Sequence, residues 1–207
     1  MEITIIGTGN MARGIATRAL AGGHTVTLVG TDVAKAEALA GELSGDVRAA
    51  GPGDALHGGV VVLAIWYQVL DEVLGRYGDQ LNGKVIVDIM NPVDPQTFQP
   101  LSVEAGSSAQ EIAQKAPGAK VVKAFNTTFA ATLVEGQVDG QPLVVFIASD
   151  DDGAKAAVRQ LVEDGGLRAV DAGPIALAHN LEALGYLHMA IQEGLGTGFG
   201  STIKVVA

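Results

Sequence analysis

The chain has 207 residues, of which 48% are hydrophobic and 17% charged, and its formal net charge is −10 at pH 7. This balance is typical of a globular protein with a filled core and excludes a disordered chain. The acidic charge argues against nucleic acid as a partner, and the absence of cysteine excludes disulfides and zinc–thiolate sites. The chain shows no signal-peptide pattern and no apolar run of ~20 residues. We therefore expect a cytoplasmic protein with no membrane partner.

The first strand and the first helix are joined by a glycine motif. Residues 3–6 are all β-branched and predict a short strand, which runs into Gly7-x-Gly9-x-x-Ala12 and helix-compatible residues 11–21. Gly7 allows a sharp turn, Gly9 leaves room for a pyrophosphate, and Ala12 lets the helix pack closely on the strand. Amides at the head of the helix then face the phosphates. This context predicts a bound dinucleotide.

The adenosine end of the cofactor is expected after the second predicted strand, at residues 25–29. Asp32 lies just past that strand. Its carboxylate could accept hydrogen bonds from the ribose hydroxyls, which favours NAD, or could cap a helix at 33–43. Thr31 and Lys35 could instead hold the 2′-phosphate of NADP. Because these residues include groups that suit each cofactor, the sequence does not decide between NADP and NAD.

Further apolar runs predict the remaining strands of an α/β fold, at residues 60–65, 84–88, 121–128, 143–147 and 167–170. We predict a Rossmann-type doubly wound parallel sheet with a small C-terminal α/β lobe. Residues 1–148 form the predicted NAD(P)-binding domain. Residues 149–207 form the lobe, which completes a second-substrate pocket and adds a last strand at 201–206.

Two residue pairs follow central strands at the edge of the sheet where cofactors of such folds lie. Trp66 and Tyr67 follow the run at 60–65, and they either wall the cofactor site or close the core. Asn91 and Pro92 follow the next strand, because a proline there ends the element. Both pairs are candidates for the nicotinamide end of the site.

The sequence lacks the motifs of several catalytic classes. It has no Tyr-x-x-x-Lys dyad, no Gly-x-Ser-x-Gly elbow and no His/acid metal cluster, so we predict no catalytic side chain and no metal site. Hydride transfer between two cofactor rings needs none, since the protein mainly positions the rings. Two alternatives remain open. One is an NAD(P)H-dependent reductase of a small imine or carbonyl, with Tyr67 or His188 as proton donor, and the other is a non-catalytic dinucleotide-sensing module.

The two histidines most relevant to these alternatives have different predicted settings. His188 lies on the apolar stripe of the last long helix, where leucines recur at spacings of three and four. We expect His188 to be buried or at an interface. His24 lies in the turn before the second strand and is expected to be solvated.

Several motifs resemble the NADP oxidoreductases that depend on the deazaflavin coenzyme F420. These are Gly-Thr-Gly-Asn-Met at 7–11, Gly-Thr at 30–31, Asp-Ala-Gly-Pro at 171–174, and a glycine-rich tail ending in Ile-Lys at 203–204. Lys-Ala-Phe-Asn-Thr at 123–127 is similar to the cytosolic reductase module of the six-transmembrane ferric reductases, whose acceptor is a flavin. The resemblance runs through nearly the whole chain.

The resemblance implies hydride transfer between NADP(H) and coenzyme F420 or a flavin, in an oxidoreductase that we expect to be a homodimer. By position, the resemblance also implies that the pyrophosphate is bound by Thr8, Gly9, Asn10 and Met11, and the adenosine end by Thr31. The nicotinamide side would be lined by Ile65, Trp66 and Tyr67, with Asn91 and Pro92 beneath it. The place where the two rings meet would be formed by Ala124, Phe125 and Asn126. Asp32 stands where family members that use NADP commonly have arginine, and Asn126 stands where the deazaflavin enzymes have histidine.

Overall fold

The computed structural model describes residues 1–206, and eight of the ten strands in this part of the chain join one sheet. The strands in chain order are β1 (Glu2–Ile6), β2 (Thr25–Val29), β3 (Val47–Ala50), β4 (Val60–Leu63), β5 (Val85–Asp88), β6 (Lys120–Lys123), β7 (Gln137–Val138), β8 (Gln141–Pro142), β9 (Val144–Ala148) and β10 (Arg168–Gly173). Strands β7 and β8 form a separate antiparallel hairpin.

Helices cover both faces of the sheet. In chain order they are α1 (Asn10–Ala21), α2 (Val33–Glu42), α3 (Leu70–Tyr77), α4 (Ser108–Lys115), α5 (Ala130–Glu135), α6 (Asp152–Asp164), α7 (Ala178–Ala190) and α8 (Gln192–Leu195). Side chains of Asp32, Ser107 and Asp151 cap α2, α4 and α6 by accepting from backbone amides. Within residues 1–206, no helix has the length and apolar character needed to cross a membrane.

The strand order β10-β9-β6-β5-β4-β1-β2-β3 is that of a doubly wound sheet. Every neighbouring pair is parallel except β6 and β9, which are antiparallel. The chain builds β1 to β3 in one direction and then crosses to β4 on the other side of β1. The predicted α/β fold is confirmed, and its switch point lies between β1 and β4.

Alternate residues of the central strands enter opposite cores, because successive side chains of a strand point to opposite faces. Ile3 and Ile5 are fully buried with residues of α1, α5 and α6. Ile6, Val61 and Leu63 face the other way, into a core built with α3 and α4. Both faces of β1 and β4 are therefore buried, which explains their continuous apolar runs.

The C-terminal residues extend the same sheet, since β10 pairs in parallel with β9. A separate lobe beginning at residue 149 stays a prediction. The predicted strand at 201–206 is wrong, because these residues are irregular. Side chains hold this segment in place: Arg168 donates to the Val205 carbonyl at 3.0 Å, and the Ser201 hydroxyl lies 2.9 Å from Nε2 of His188.

His24 differs from expectation, because the turn before β2 is packed rather than solvated. The residue is 5% exposed, and its Nδ1 lies 3.0 Å from the N-terminal amine of Met1. Nε2 lies 3.4 Å from a carboxylate oxygen of Asp164 at the end of α6. Burial, followed by the positive N-terminus, lowers the pKa of His24, while Asp164 acts in the opposite direction.

A buried charged cluster joins four elements beneath the carboxyl ends of β5 and β6. The Lys123 ammonium is fully buried and lies 2.9 Å from Asp88, 2.7 Å from Glu182 and 2.9 Å from the Ser108 hydroxyl. It also donates to the Met90 carbonyl. Because these partners come from β5, α4, α7 and the loop after β5, one side chain fixes all of them relative to β6.

We predict that Lys123→Met destabilises the protein strongly. Two carboxylates would then be left without their shared cation, which costs about 3–5 kcal/mol of unfolding free energy. Lys115→Met is the matched control, because Lys115 pairs with two carboxylates at the surface. Urea denaturation measures both variants. Equal midpoints for the two would contradict an anchoring role for the buried cluster.

Candidate functional site

A cleft of about 320 Å³ opens at the switch point of the sheet, over the carboxyl ends of β1, β2 and β4. Its floor comes from the turns after these strands and its side from α3. The lining residues include Gly7, Thr8, Gly9, Gly30, Thr31, Pro52, Ala64, Ile65, Trp66, Val69, Glu72, Val73, Arg76 and Tyr77. The fingerprint turn and the predicted adenosine residue Thr31 therefore border one cavity.

Glycine stands at positions 7 and 9 of the turn for different structural reasons. Gly7 has a φ of 125°, and a Cβ there would lie 2.1 Å from the Ala64 carbonyl oxygen, so no side chain fits. Gly9 has an ordinary extended backbone, with φ of −82°, and a Cβ there would meet nothing within 4 Å. The space beside Gly9 is the open cleft itself.

The head of α1 is arranged to receive an anion. Gly9 occupies the N-cap position, no side chain caps the helix, and its first turn contains no acidic residue. The first amides of a twelve-residue helix, together with the positive end of its dipole, are thus available at the cleft. These features fit the diphosphate of a dinucleotide.

Of the three residues expected at the adenosine end, only Thr31 belongs to the lining of the cleft. Thr31 lines the cleft, whereas Asp32 and Lys35 are exposed on the first turn of α2. The Asp32 carboxylate accepts from the Ala34 amide at 3.1 Å, which is the capping alternative. Contacts of Asp32 and Lys35 with the ribose or its phosphate stay predictions.

A second cleft, of about 440 Å³, continues from the first and shares Gly9, Ala64, Ile65 and Trp66 with it. None of its lining residues carries a charge in the described part of the chain. Besides the shared four, they are Asn10, Met11, Tyr67, Ile89, Met90, Asn91, Val93, Phe98, Asn126, Thr128, Phe129, Ala130, Met189 and Phe199. The structure thus brings five further predicted site residues together: Asn10, Met11, Tyr67, Asn91 and Asn126.

Asn91 and Asn126 form a reciprocal pair at the base of the second cleft. The Asn91 amide donates to the Asn126 backbone carbonyl, and the Asn126 amide donates to Asn91 Oδ1 and to the Leu181 carbonyl, all at 2.8 Å. Gly185 of α7 allows this, because a Cβ there would come within 2.7 Å of Asn91 Oδ1. Oδ1 of Asn126 is buried without a partner among the described residues.

Three predicted site residues lie beneath the cleft rather than on its wall. Ala124 and Phe125 are 0% and 1% exposed in the core, and Pro92 is buried beside Asn91. None of the three belongs to the lining of either cleft. Direct contact of these three residues with a cofactor ring stays a prediction.

Sequence reasoning missed the aromatic and thioether residues that make the far wall of the second cleft: Phe98, Phe129, Met189 and Phe199. Phe98 follows β5 in a proline- and glutamine-rich loop, and Phe199 lies in a glycine-rich tail. The one available signal was a large aromatic residue isolated in each of these polar or glycine-rich segments.

Both candidate proton donors, Tyr67 and His188, lie within hydrogen-bond distance of other groups of the protein. The Tyr67 hydroxyl donates to Glu111 at 2.5 Å, and burial, followed by that hydrogen bond, raises the pKa of Tyr67 to about 12. His188 lies behind the cleft wall, stacked on Phe129 with ring centroids 4.2 Å apart. Its Nδ1 and Nε2 lie 3.2 Å and 2.9 Å from the Thr127 carbonyl and the Ser201 hydroxyl, and burial lowers its pKa.

The doubly wound sheet, the glycine turn and the free helix head at the switch point define a dinucleotide-binding protein of the Rossmann type. Residues 2–92 match the family model described as NADP oxidoreductase coenzyme F420-dependent. The chain is also 31% identical over 202 residues to the F420-dependent NADP reductase of Methanothermobacter thermautotrophicus, a match that covers 89% of this chain and 86% of that protein. The chain belongs to the F420-dependent NADP reductase family, a family of NADP-dependent oxidoreductases.

Three further proteins are similar to this chain in sequence or fold, over different shares of their own length. A crystal structure of a proposed F420-dependent NADP reductase from Arthrobacter sp. FB24 superimposes with a TM-score of 0.87 at 29% identity, covering 99% of both chains. Metalloreductase STEAP3 of Rattus norvegicus is 29% identical over 183 residues, which are 88% of this chain but only 36% of that longer protein. An imine reductase from Bacillus cereus BAG3X2, at 20% identity and a TM-score of 0.69, covers 96% of this chain and 63% of its own and shares the fold.

We predict that Gly9→Ala weakens dinucleotide binding without destabilising the protein. The backbone of Gly9 suits any residue, but the added methyl group occupies the approach of the pyrophosphate, so affinity for NADPH should fall at least tenfold, or about 1.4 kcal/mol. Calorimetry and thermal unfolding measure the two effects. Gly7→Ala is the matched contrast, since its clash with Ala64 should lower the melting temperature. Unchanged affinity in Gly9→Ala would contradict this assignment.

Proposed function

We propose that the protein transfers hydride between NADP(H) and a flat ring acceptor, either coenzyme F420 or a flavin. The observation that carries this proposal is the continuity of the two clefts across Gly9, Ala64, Ile65 and Trp66. One cleft has the features of a dinucleotide site, and the other is uncharged and rich in aromatic side chains. Family membership supports NADP and F420 as the pair of cofactors.

The protein's own contribution is positional. When bound, the dinucleotide supplies or accepts the hydride. Amides at the head of α1 would hold the diphosphate, and Thr31 would meet the adenosine end. Ile65 and Trp66, which border both clefts, would flank the nicotinamide. The Asn91–Asn126 pair would orient ring substituents from below, and no side chain would bond covalently to either ring.

Both candidate proton donors have partners within the protein, which favours hydride transfer between rings over reduction of a small imine or carbonyl. A general acid works best when its pKa is near the operating pH and its proton faces the substrate. Tyr67 satisfies neither condition, because its proton is directed at Glu111 and its pKa is raised to about 12. His188 is not part of either cleft lining among residues 1–206.

Mixing the protein with NADPH and one acceptor at a time tests the proposal. We expect coenzyme F420, FMN or FAD to oxidise the nicotinamide, as followed by absorbance, and small imines and carbonyls to leave it reduced. Oxidation by an imine or carbonyl alone would contradict the proposal. Tight binding of NADPH in calorimetry without turnover by any acceptor would instead identify a dinucleotide sensor.

We predict that Tyr67→Phe retains the activity to within about threefold. A proton-donating tyrosine would instead cost on the order of 10²–10⁴ in rate when its hydroxyl is removed. Because burial and Glu111 hold the Tyr67 proton, the pH profile of the wild-type rate should show no Tyr67 ionisation below about pH 12. Steady-state kinetics with the best acceptor measure both properties. Tyr186→Phe, outside the two clefts, is the control.

We predict that Asp32→Arg tightens NADPH binding relative to NADH. The change removes a carboxylate near the adenosine end and introduces the cation that a 2′-phosphate attracts. It also removes the cap of α2, which costs about 1 kcal/mol of stability. Asp32→Asn is the control, since asparagine keeps the cap and removes only the charge. Unchanged dissociation constants for both nucleotides would show that residue 32 does not face the ribose.

We also propose a homodimer in the cytoplasm, formed through the C-terminal helices. Leu187, Ile191 and Leu195 are 56%, 44% and 54% exposed along α7 and α8, and exposed apolar patches mark interaction surfaces. Light scattering should give the mass of a dimer, and Leu187→Glu should lower it to that of a monomer. A monomeric wild type would contradict the dimer, and cell fractionation tests the location.

A further inference from the structure

Phenylalanines at the second cleft adopt an unusual backbone conformation. Only four non-glycine residues of the described chain have positive φ, and three are phenylalanines: Phe98 at 56°, Phe125 at 62° and Phe199 at 65°. Phe98 and Phe199 line the second cleft, and Phe125 is buried next to Asn126 of that lining. Left-handed backbone is unfavourable for a bulky side chain, and such strain concentrates at functional sites.

The strain at Phe98 and Phe199 is not offset by burial of their rings. Their exposed fractions are 52% and 48%, so about half of each apolar side chain faces water in the cleft. A glycine at either position would adopt the same backbone without strain. Stability of the fold therefore does not explain why aromatic residues stand at these two positions.

A hydrogen-bonded turn positions Phe98 at the cleft, and an aromatic contact positions Phe199. The Asp94 carboxylate accepts from the amides of Gln96 and Thr97 at 2.9 and 2.7 Å, and the Phe98 amide donates to the Asp94 carbonyl. Phe199 meets the ring of Phe129 edge-on, with centroids 5.1 Å apart. The two rings are thus presented by different segments, the loop after β5 and the tail after α8, on one cavity.

We propose that Phe98 and Phe199 are specificity residues that hold the acceptor by its flat ring, so that the acceptor's phosphate groups contribute little to binding. This inference rests on the proposed function. Aromatic rings bind planar heterocycles through stacking and edge contacts, and Met11 and Met189 add polarizable sulfur to the lining of the same cleft. No cation lines this cleft among the described residues, so no side chain is available there to pair with a phosphate.

The test separates binding of the ring from stability of the fold. NADP⁺-saturated protein is titrated with 5-deazariboflavin by calorimetry, for the wild type and for Phe98→Gly and Phe199→Gly. We expect each variant to bind the probe about tenfold more weakly, while its melting temperature stays equal or rises because the backbone strain is relieved. Affinity for NADP⁺ should not change. Phe98→Tyr should restore binding of the probe.

Leu101→Ala and Val206→Ala are the matched controls, because both side chains are exposed near the two phenylalanines in sequence but lie outside the cleft lining. A second titration uses the 5′-phosphate of 5-deazariboflavin, and we expect affinities for the two probes within about threefold. Tenfold preference for the phosphate, or unchanged binding in both glycine variants, would overturn this inference alone. No binding of either probe by the wild type would overturn the proposed function as well.

Discussion

The close passage of the β1–α1 turn over the end of β4 is the constraint on which the rest of the site depends. Gly7 donates its amide to the Val29 carbonyl at 2.8 Å, and Ala64 donates to the Ile6 carbonyl at 2.9 Å. These bonds join the ends of β1, β2 and β4, with no room for a side chain at Gly7. They fix the head of α1 beside Trp66, where both clefts meet.

The second cleft depends on buried contacts behind its lining residues. Lys123 ties β6 to β5, α4 and α7 through a buried charged cluster, and α7 in turn approaches the Asn91–Asn126 pair at Gly185. The tail that follows α7 and α8 carries Phe199 to the cleft. Although the chain is acidic, no charged side chain lines this cleft in the part of the chain that the structure describes.

Much of the fold could be predicted because it depends on local patterns. β-Branched runs mark strands, and the spacing of Gly7 and Gly9 marks the dinucleotide turn, so the sheet and the first cleft were foreseen. The Lys123 cluster could not be, since its partners lie 35 and 59 positions away in sequence. Phe98 and Phe199 were missed because irregular segments carry no periodicity. The setting of His24 was wrongly predicted because the turn before β2 packs against the end of α6, a contact between residues distant in sequence.

The most direct test of the proposed dinucleotide site is calorimetric titration of the protein with NADPH, NADP⁺, NADH and NAD⁺. We expect saturable binding of one nucleotide per chain, with the phosphorylated pair bound more tightly, as family membership supports. All four ligands contain the diphosphate that we propose to bind at the head of α1, so this site requires binding of at least one of them. No heat with any of the four nucleotides would contradict a dinucleotide site at the head of α1.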